Sequence, residues 1–184
     1  MRKSVIALSF AGVMLATGAL AEMAAPPTPA PAPAATPAPV PDQMPWDVPY
    51  GASITMDKAV KAVAATVAEA TKSPRNWKLA IAVVDPNGEL VYFYKMDQTQ
   101  VASINIAIGK ARTAARFRRP TEAFANAMAT PAGLGLTTLD PTLIASLGGI
   151  PLVEGGKIIG AIGCSGATGP QDLVACKVGA ETIK

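Results

Sequence analysis

The sequence predicts an α/β domain of the α+β kind, an antiparallel sheet of two hairpins flanked by helices in the order α-β-β-α-α-β-β-α. Three observations lead there. Two pairs of short β-rich runs are each joined by a tight turn, Pro86-Asn87-Gly88 in the first and Gly155-Gly156 in the second. Segments with apolar residues at three- and four-residue intervals precede, separate and follow those pairs. Residues 50–184 are, finally, a long enough stretch to close one layered core.

The elements follow in order. Thr55 is placed to cap a helix whose Met56, Val60, Val63 and Val67 share a face, ending near Lys72-Ser73-Pro74. "LAIAVVD" (79–85) and "ELVYFYK" (89–95) form the first hairpin. "VASINIAIGKARTAARF" (101–117) returns to helical spacing through Ile104, Ile108, Ala111 and Ala115, and Pro120 stops it. A shorter helix runs from about Thr121 to Met128, and residues 130–147 predict a loop with a helical turn near Leu143. "IPLVEGGKIIGAIGC" is the second hairpin, with a type I′ turn, since two adjacent glycines accept positive φ at both central positions. "PQDLVACKVGAETIK" closes the chain as a helix, with Pro170 in its first turn, where proline is preorganised.

Ahead of this domain the composition changes twice. Residues 1–21 have the layout of a signal peptide: Arg2 and Lys3, the uncharged run Val5–Leu20, then Ala19-Leu20-Ala21. A run of that length approaches a membrane span, but the small-residue site predicts cleavage, which leaves no stable span and a periplasmic or secreted location. Residues 22–49 form an Ala/Pro-rich linker, an extended polyproline II tether that builds neither helix nor sheet; a proline-recognising partner is the alternative use. Cleavage would leave 14 basic against 13 acidic side chains. That near-balance argues against nucleic acid as a partner.

Four features could carry chemistry. Gly155-Gly156-Lys157 is not a phosphate loop, because Pro151 stands where the first glycine belongs and Ile158 replaces the hydroxyl residue. "GCSGATGPQD" (163–172) brings Ser165, Gly166 and Thr168 to a helix start; its amides either cradle an anion or are capped by Thr168 or Asp172. Arg112, Arg116 and Arg119 recur at intervals of four and three, and with Arg118 form the densest charge cluster. They read as a solvated face, or as an anchor for an anionic ligand or a subunit. Cys164 and Cys176 lack metal-ligand spacing and are open to either a disulfide or two buried thiols.

The chain has no histidine, so imidazole acid–base catalysis, Ser-His-Asp and Cys-His nucleophiles and ordinary zinc sites are excluded. Catalysis would have to rest on Asp97, Asp140 or Asp172, on Lys110, or on Cys164, and these form no recognisable pair. The residues therefore favour a binding protein over an enzyme.

The blocks "LAIAVVDPNGELVYFYKMD", "ASINIAIGKARTAARFRRPTEAF" and "GGIPLVEGGKIIGAIGCSGATGPQD", in that order, resemble the GlcG/HbpS family of haem-binding-like proteins, which includes the C-terminal domain of PduO-type proteins. The resemblance covers roughly residues 75–184 and implies a GlcG/HbpS-like sandwich that assembles into homo-oligomers. It further implies haem or another tetrapyrrole as ligand, with a sensing or accessory role. Where relatives ligate iron through histidine, this chain departs. Met96, Tyr94 and Thr113 are the substitute ligands by position, and Arg112 and Arg116 the partners for propionates. The loop Ser165–Thr168 and the basic helix end are expected to line one cleft. An enzyme acting on haem or a small organic acid, and a structural accessory subunit of a periplasmic oxidation system, are the alternatives.

Overall fold

The structure is a computed structural model that describes residues 44, 46–72 and 74–184. The signal peptide expected at 1–21, and all of the linker expected at 22–49 except Met44 and residues 46–49, lie outside the described residues. Element order is α1 (Met56–Thr71), β1 (Ala80–Val84), β2 (Leu90–Lys95), α2 (Ser103–Arg116), α3 (Thr121–Met128), a 3₁₀ segment (Pro131–Thr138), β3 (Gly149–Glu154), β4 (Lys157–Ser165) and α4 (Gly169–Ala180). The four strands are ordered β2-β1-β4-β3, every pair antiparallel, so the first strand of one hairpin lies beside the last strand of the other. β1 is buried along its whole length, which explains why its sequence is a continuous apolar run instead of an alternation. Pro151 sits on the edge strand β3, where a missing amide donor is tolerated.

The sheet separates two unlike layers. On one face Ile81, Val83, Leu152, Ile162 and the cysteines meet Ala59, Ala62, Val63 and Ala70 of α1 and Ala175 of α4. On the other face the contact surface is almost entirely alanine: Ala80, Ala82 and Ala161 against Ala107, Ala111, Ala114 and Ala115 of α2. α2 lies close because Gly163 offers no side chain; a Cβ there would collide with the Ala107 carbonyl and the Ala111 backbone. Of the stripe Ile104, Ile108, Ala111 and Ala115, the two alanines lie buried in this seam while the two isoleucines are only half-buried, and Ser103, Ala107, Lys110 and Ala114 complete the buried face. Small side chains win this face because only they permit backbone-to-backbone approach.

Other details depart from expectation. Thr55 occupies the N-cap position of α1 with extended backbone, but its side chain makes no capping bond. The helical turn expected near Leu143 is displaced: the 3₁₀ segment lies at Pro131–Thr138, and a turn closed by the Leu143 amide on the Asp140 carbonyl follows it. Arg119 does not continue the Arg112–Arg116 face, because α2 ends at Arg116 and Arg118 adopts φ 56°. The guanidinium of Arg119 instead lies over the rings of Trp46 and Phe124. Gly155 and Gly156 have φ of 54° and 74°, as a type I′ turn requires.

Cys164 and Cys176 are joined as a disulfide between β4 and α4, with Cα atoms 5.8 Å apart. No helix among the described residues is long and apolar enough to cross a membrane.

Candidate functional site

The basic end of α2 and the first hairpin turn form one construction. Arg112 Nε donates to the Gly88 carbonyl at 2.9 Å, and Arg116 Nε donates to the Asn87 carbonyl at 3.0 Å. Gly88 is required twice over: its φ is 90°, and a Cβ would lie 2.8 Å from Arg116 Nε and 3.3 Å from Arg112 Cγ. Each arginine thus spends one donor on pinning the turn, and the guanidinium retains four N–H groups in planar array. The terminal nitrogens of Arg112 meet no acceptor among the described residues, whereas Arg116 faces Asp140 at 3.8 Å.

A cleft opens on either side of this ridge. One, of about 440 Å³, is lined by Tyr50, Gly51, Ser53, Asp85, Pro86, Asn87 and Arg116. Its walls are polar and apolar in about equal measure, and the Tyr50 hydroxyl is engaged with the carbonyls of Ala115 and Arg116 at 3.0 and 2.8 Å. Burial raises the Tyr50 phenol above its ordinary value, against the opposing pull of Arg118. The other, of about 290 Å³, combines Arg112 with the apolar walls Leu90, Ile108 and Ile144, together with Asn105, Gly109 and Thr142. Ile144 closes on α2 because residue 109 is glycine; a Cβ there would stand 2.6 Å from Ile144 Cγ1. Below the rim, the hydroxyl and amide of Thr142 and the Arg116 guanidinium hold the Asp140 carboxyl below its ordinary value.

Thr113, one of the residues expected to contact ligand, is 3% exposed, and its hydroxyl accepts the Ile144 amide at 3.0 Å. It is a strut for the cleft wall. Met96 is 7% exposed, its sulfur receiving the Leu79 amide. Tyr94 is exposed, but it lines a separate apolar groove with Tyr92 and the α1 residues Val60, Val63, Ala64 and Val67.

The glycine loop is a different place. Ser165 is buried and its hydroxyl donates to Ser103 Oγ at the start of α2. α2 is 14 residues long, so its two ends stand about 20 Å apart at ~1.5 Å per residue. Within one chain Ser165, Gly166 and Thr168 therefore do not share a cleft with Arg112 and Arg116. Nor is the helix start open to an anion. The Ala167 amide donates to Asp172 Oδ1 and the Thr168 amide to Gln171 Oε1, so the chain's own side chains fill the cradle. Gly166 has φ 145° and passes against the Lys78 carbonyl, where any Cβ would clash.

Asp172 and Lys110 form a buried pair, Nζ to Oδ2 at 2.8 Å, with a second bond from Nζ to the Cys164 carbonyl at 2.9 Å. Burial raises the Asp172 carboxyl, the Lys110 ammonium pulling the other way. The pair reaches past β4 to join α2 to α4, and at 1% and 2% exposure neither residue can meet a substrate. Sequence reasoning missed Leu90, Asn105, Ile144 and Thr142 as cleft residues. The signal available for them was Gly109, a glycine inside a helical pattern that marks close approach by another segment.

Fold and site together define a small three-layer α/β domain with an arginine-edged apolar cleft. Residues 54–181 match the family described as haem degrading protein HbpS-like, and the chain belongs to that family. It is 36% identical over 124 residues to an uncharacterized 15.0 kDa protein of Citrobacter freundii, covering 66% of this chain and 85% of that one. It is also 36% identical over 112 residues to protein GlcG of Escherichia coli K12, covering 61% and 81% of the two chains. Among solved structures, a double mutant of Streptomyces reticuli HbpS superposes with a TM-score of 0.66 at 28% identity, covering 82% of this chain and 99% of that one. The PduOC–heme complex superposes equally well, at 0.66, with 23% identity over 72% and 96% of the chains, a likeness of fold.

A bound haem can be tested against these residues. Its carboxylates suit the free guanidinium face of Arg112, and its flat apolar body suits Leu90, Ile108 and Ile144. Its iron finds no fit: the Arg112 cleft holds no histidine, thiol, thioether or phenol, and among the described residues no group of acidic or cysteine side chains is placed to hold a metal.

Proposed function

We propose that this protein is an exported binding protein for haem or another anionic planar ligand, with a sensing or accessory role, and that the Arg112 cleft takes the ligand's edge. One observation carries the reading. In a chain of the HbpS-like family, this cleft joins an arginine with unspent donors to apolar walls. A cleft of about 290 Å³ sits at the lower limit of small-molecule sites, ~300–1,000 Å³, so a macrocycle would project from it. A second copy of the chain would cover the remainder, in keeping with homo-oligomeric assembly. The disulfide supports export, since such bonds persist in oxidising compartments.

Titrating the purified protein with hemin tests the reading. A saturable Soret shift is expected, weakened about tenfold or more by Arg112→Ala, the loss of a charge-assisted pair, and less by Arg116→Ala, whose guanidinium already faces Asp140. Unchanged far-ultraviolet circular dichroism separates lost binding from lost fold. Absence of a saturable shift in the parent protein would overturn the proposal. The family description favours a second reading, degradation of haem, for which the Soret band would bleach under reductant with stoichiometry above one ligand per chain.

A further inference from the structure

We infer that the ligand is recognised through its carboxylates and flat apolar body and not through its metal, so that this chain binds tetrapyrroles carrying iron, zinc or no metal with equal strength. The inference rests on the binding role proposed for the Arg112 cleft and names its ligand class. Among the described residues, the imidazole, sulfur and phenol donors that could hold iron, and the hydroxyls of Thr113 and Thr142, are each accounted for. Histidine is absent from the sequence. Both cysteines are spent on the disulfide. Met96 is buried with its sulfur on the Leu79 amide, and the other described methionines, Met44, Met56 and Met128, line neither arginine cleft. The Thr113 hydroxyl is buried on the Ile144 amide, and Thr142, the one hydroxyl in the cleft lining, donates to Asp140 Oδ1 at 2.6 Å.

The phenols are excluded by register. Tyr94 and Tyr92 pair across β1 with Ile81 and Val83, residues of the layer shared with α1 and α4. Leu90, the cleft's own residue from the same strand, pairs with Val84 of the α2 layer, on the opposite face of the sheet. Tyr50 lies on the far side of the arginine ridge with its hydroxyl committed to two carbonyls. What remains in the cleft is Arg112, three aliphatic side chains and the Asn105 amide, a set that reads charge and shape. Recognition of this kind gains nothing from the metal.

The test compares hemin, zinc protoporphyrin and metal-free protoporphyrin IX by quenching of protein fluorescence and by visible absorption. Dissociation constants within about threefold of one another are expected, and Arg112→Ala should raise all three by a common factor of about ten. Tyr94→Phe should leave the spectrum of bound hemin unchanged, and protoporphyrin dimethyl ester, its carboxylates blocked, should bind about tenfold or more weakly than the free acid. Hemin binding tenfold or more tighter than the metal-free compound would overturn the inference, as would a Tyr94→Phe spectral shift or full-strength binding of the ester. Failure of all three porphyrins would instead overturn the proposed binding role itself.

Discussion

Lys110 and Asp172, each a candidate for acid–base chemistry in the sequence but not legible there as a pair, prove to be one buried structural pair in the fold. Both residue types belong to acid–base chemistry, yet they lock two helices across the top of β4, and each is satisfied by a backbone partner as well as by the other. Asp172→Ala leaves the ammonium buried without its counter-ion and should cost about 3–5 kcal/mol in urea denaturation, whereas replacing both residues with apolar ones should cost less. The pH dependence has a definite sign. Because burial raises the native Asp172 carboxyl above 3.8, the folded chain holds this proton more tightly than the unfolded one. The stability of the parent relative to Asp172→Asn should therefore fall as pH rises through the window just above 3.8. Asp140 behaves oppositely: its carboxyl is lowered from 3.8, so its contribution is present above that value and lost as pH falls below it. Denaturation of Asp140→Asn beside the parent across the acid range checks this.

At the scale of elements, two devices hold α2 and α4 to the sheet, and they are chemically unlike. α2 is held by closeness, through Gly163 and the alanine seam. Gly163→Val should force the helix outward and cost several kcal/mol, at the upper range of core overpacking, ~1–3 kcal/mol or more; thermal unfolding reads it. α4 is held by the disulfide, which spans a sequence separation of 12. Closing a loop of that size restricts the unfolded chain by about 3 kcal/mol. Unfolding in the presence of dithiothreitol, or of Cys164→Ala/Cys176→Ala, should accordingly be lowered by roughly 10 °C. The first hairpin turn is held in a third way, by the two arginine Nε groups on consecutive carbonyls. That makes the candidate binding site and the hairpin's anchor the same pair of side chains, which is why Arg116→Ala serves as the companion to Arg112→Ala.

At the scale of the molecule, the apolar surface is uneven. The edge strand β2 and α1 expose Tyr94, Val60 and Met56 beside the groove that Tyr92, Val63 and Val67 line. An edge strand with exposed apolar neighbours invites pairing with another chain. If this face builds the proposed oligomer, Tyr94→Lys with Val60→Lys should reduce the mass seen by sedimentation while leaving the circular dichroism intact. An unchanged mass would move the interface elsewhere.

The order of helices and hairpins was legible because period-2 and period-3.6 patterns and turn glycines are local properties, decided by neighbouring residues. So were the Gly155-Gly156 turn and the family resemblance. The pairing of β1 with β4, the choice of the alanine face of α2 over its isoleucines, and the disulfide between Cys164 and Cys176 depended on tertiary approach. The same holds for the site: arginine spacing pointed to Arg112 and Arg116, but φ at Arg118 removed Arg119 from their face, and the length of α2 parted them from the Ser165–Thr168 loop. By itself the sequence determined the fold class and the absence of imidazole chemistry. Only the tertiary structure decided which donors remained unspent, because a side chain's availability to a ligand depends on what the rest of the chain has already brought against it.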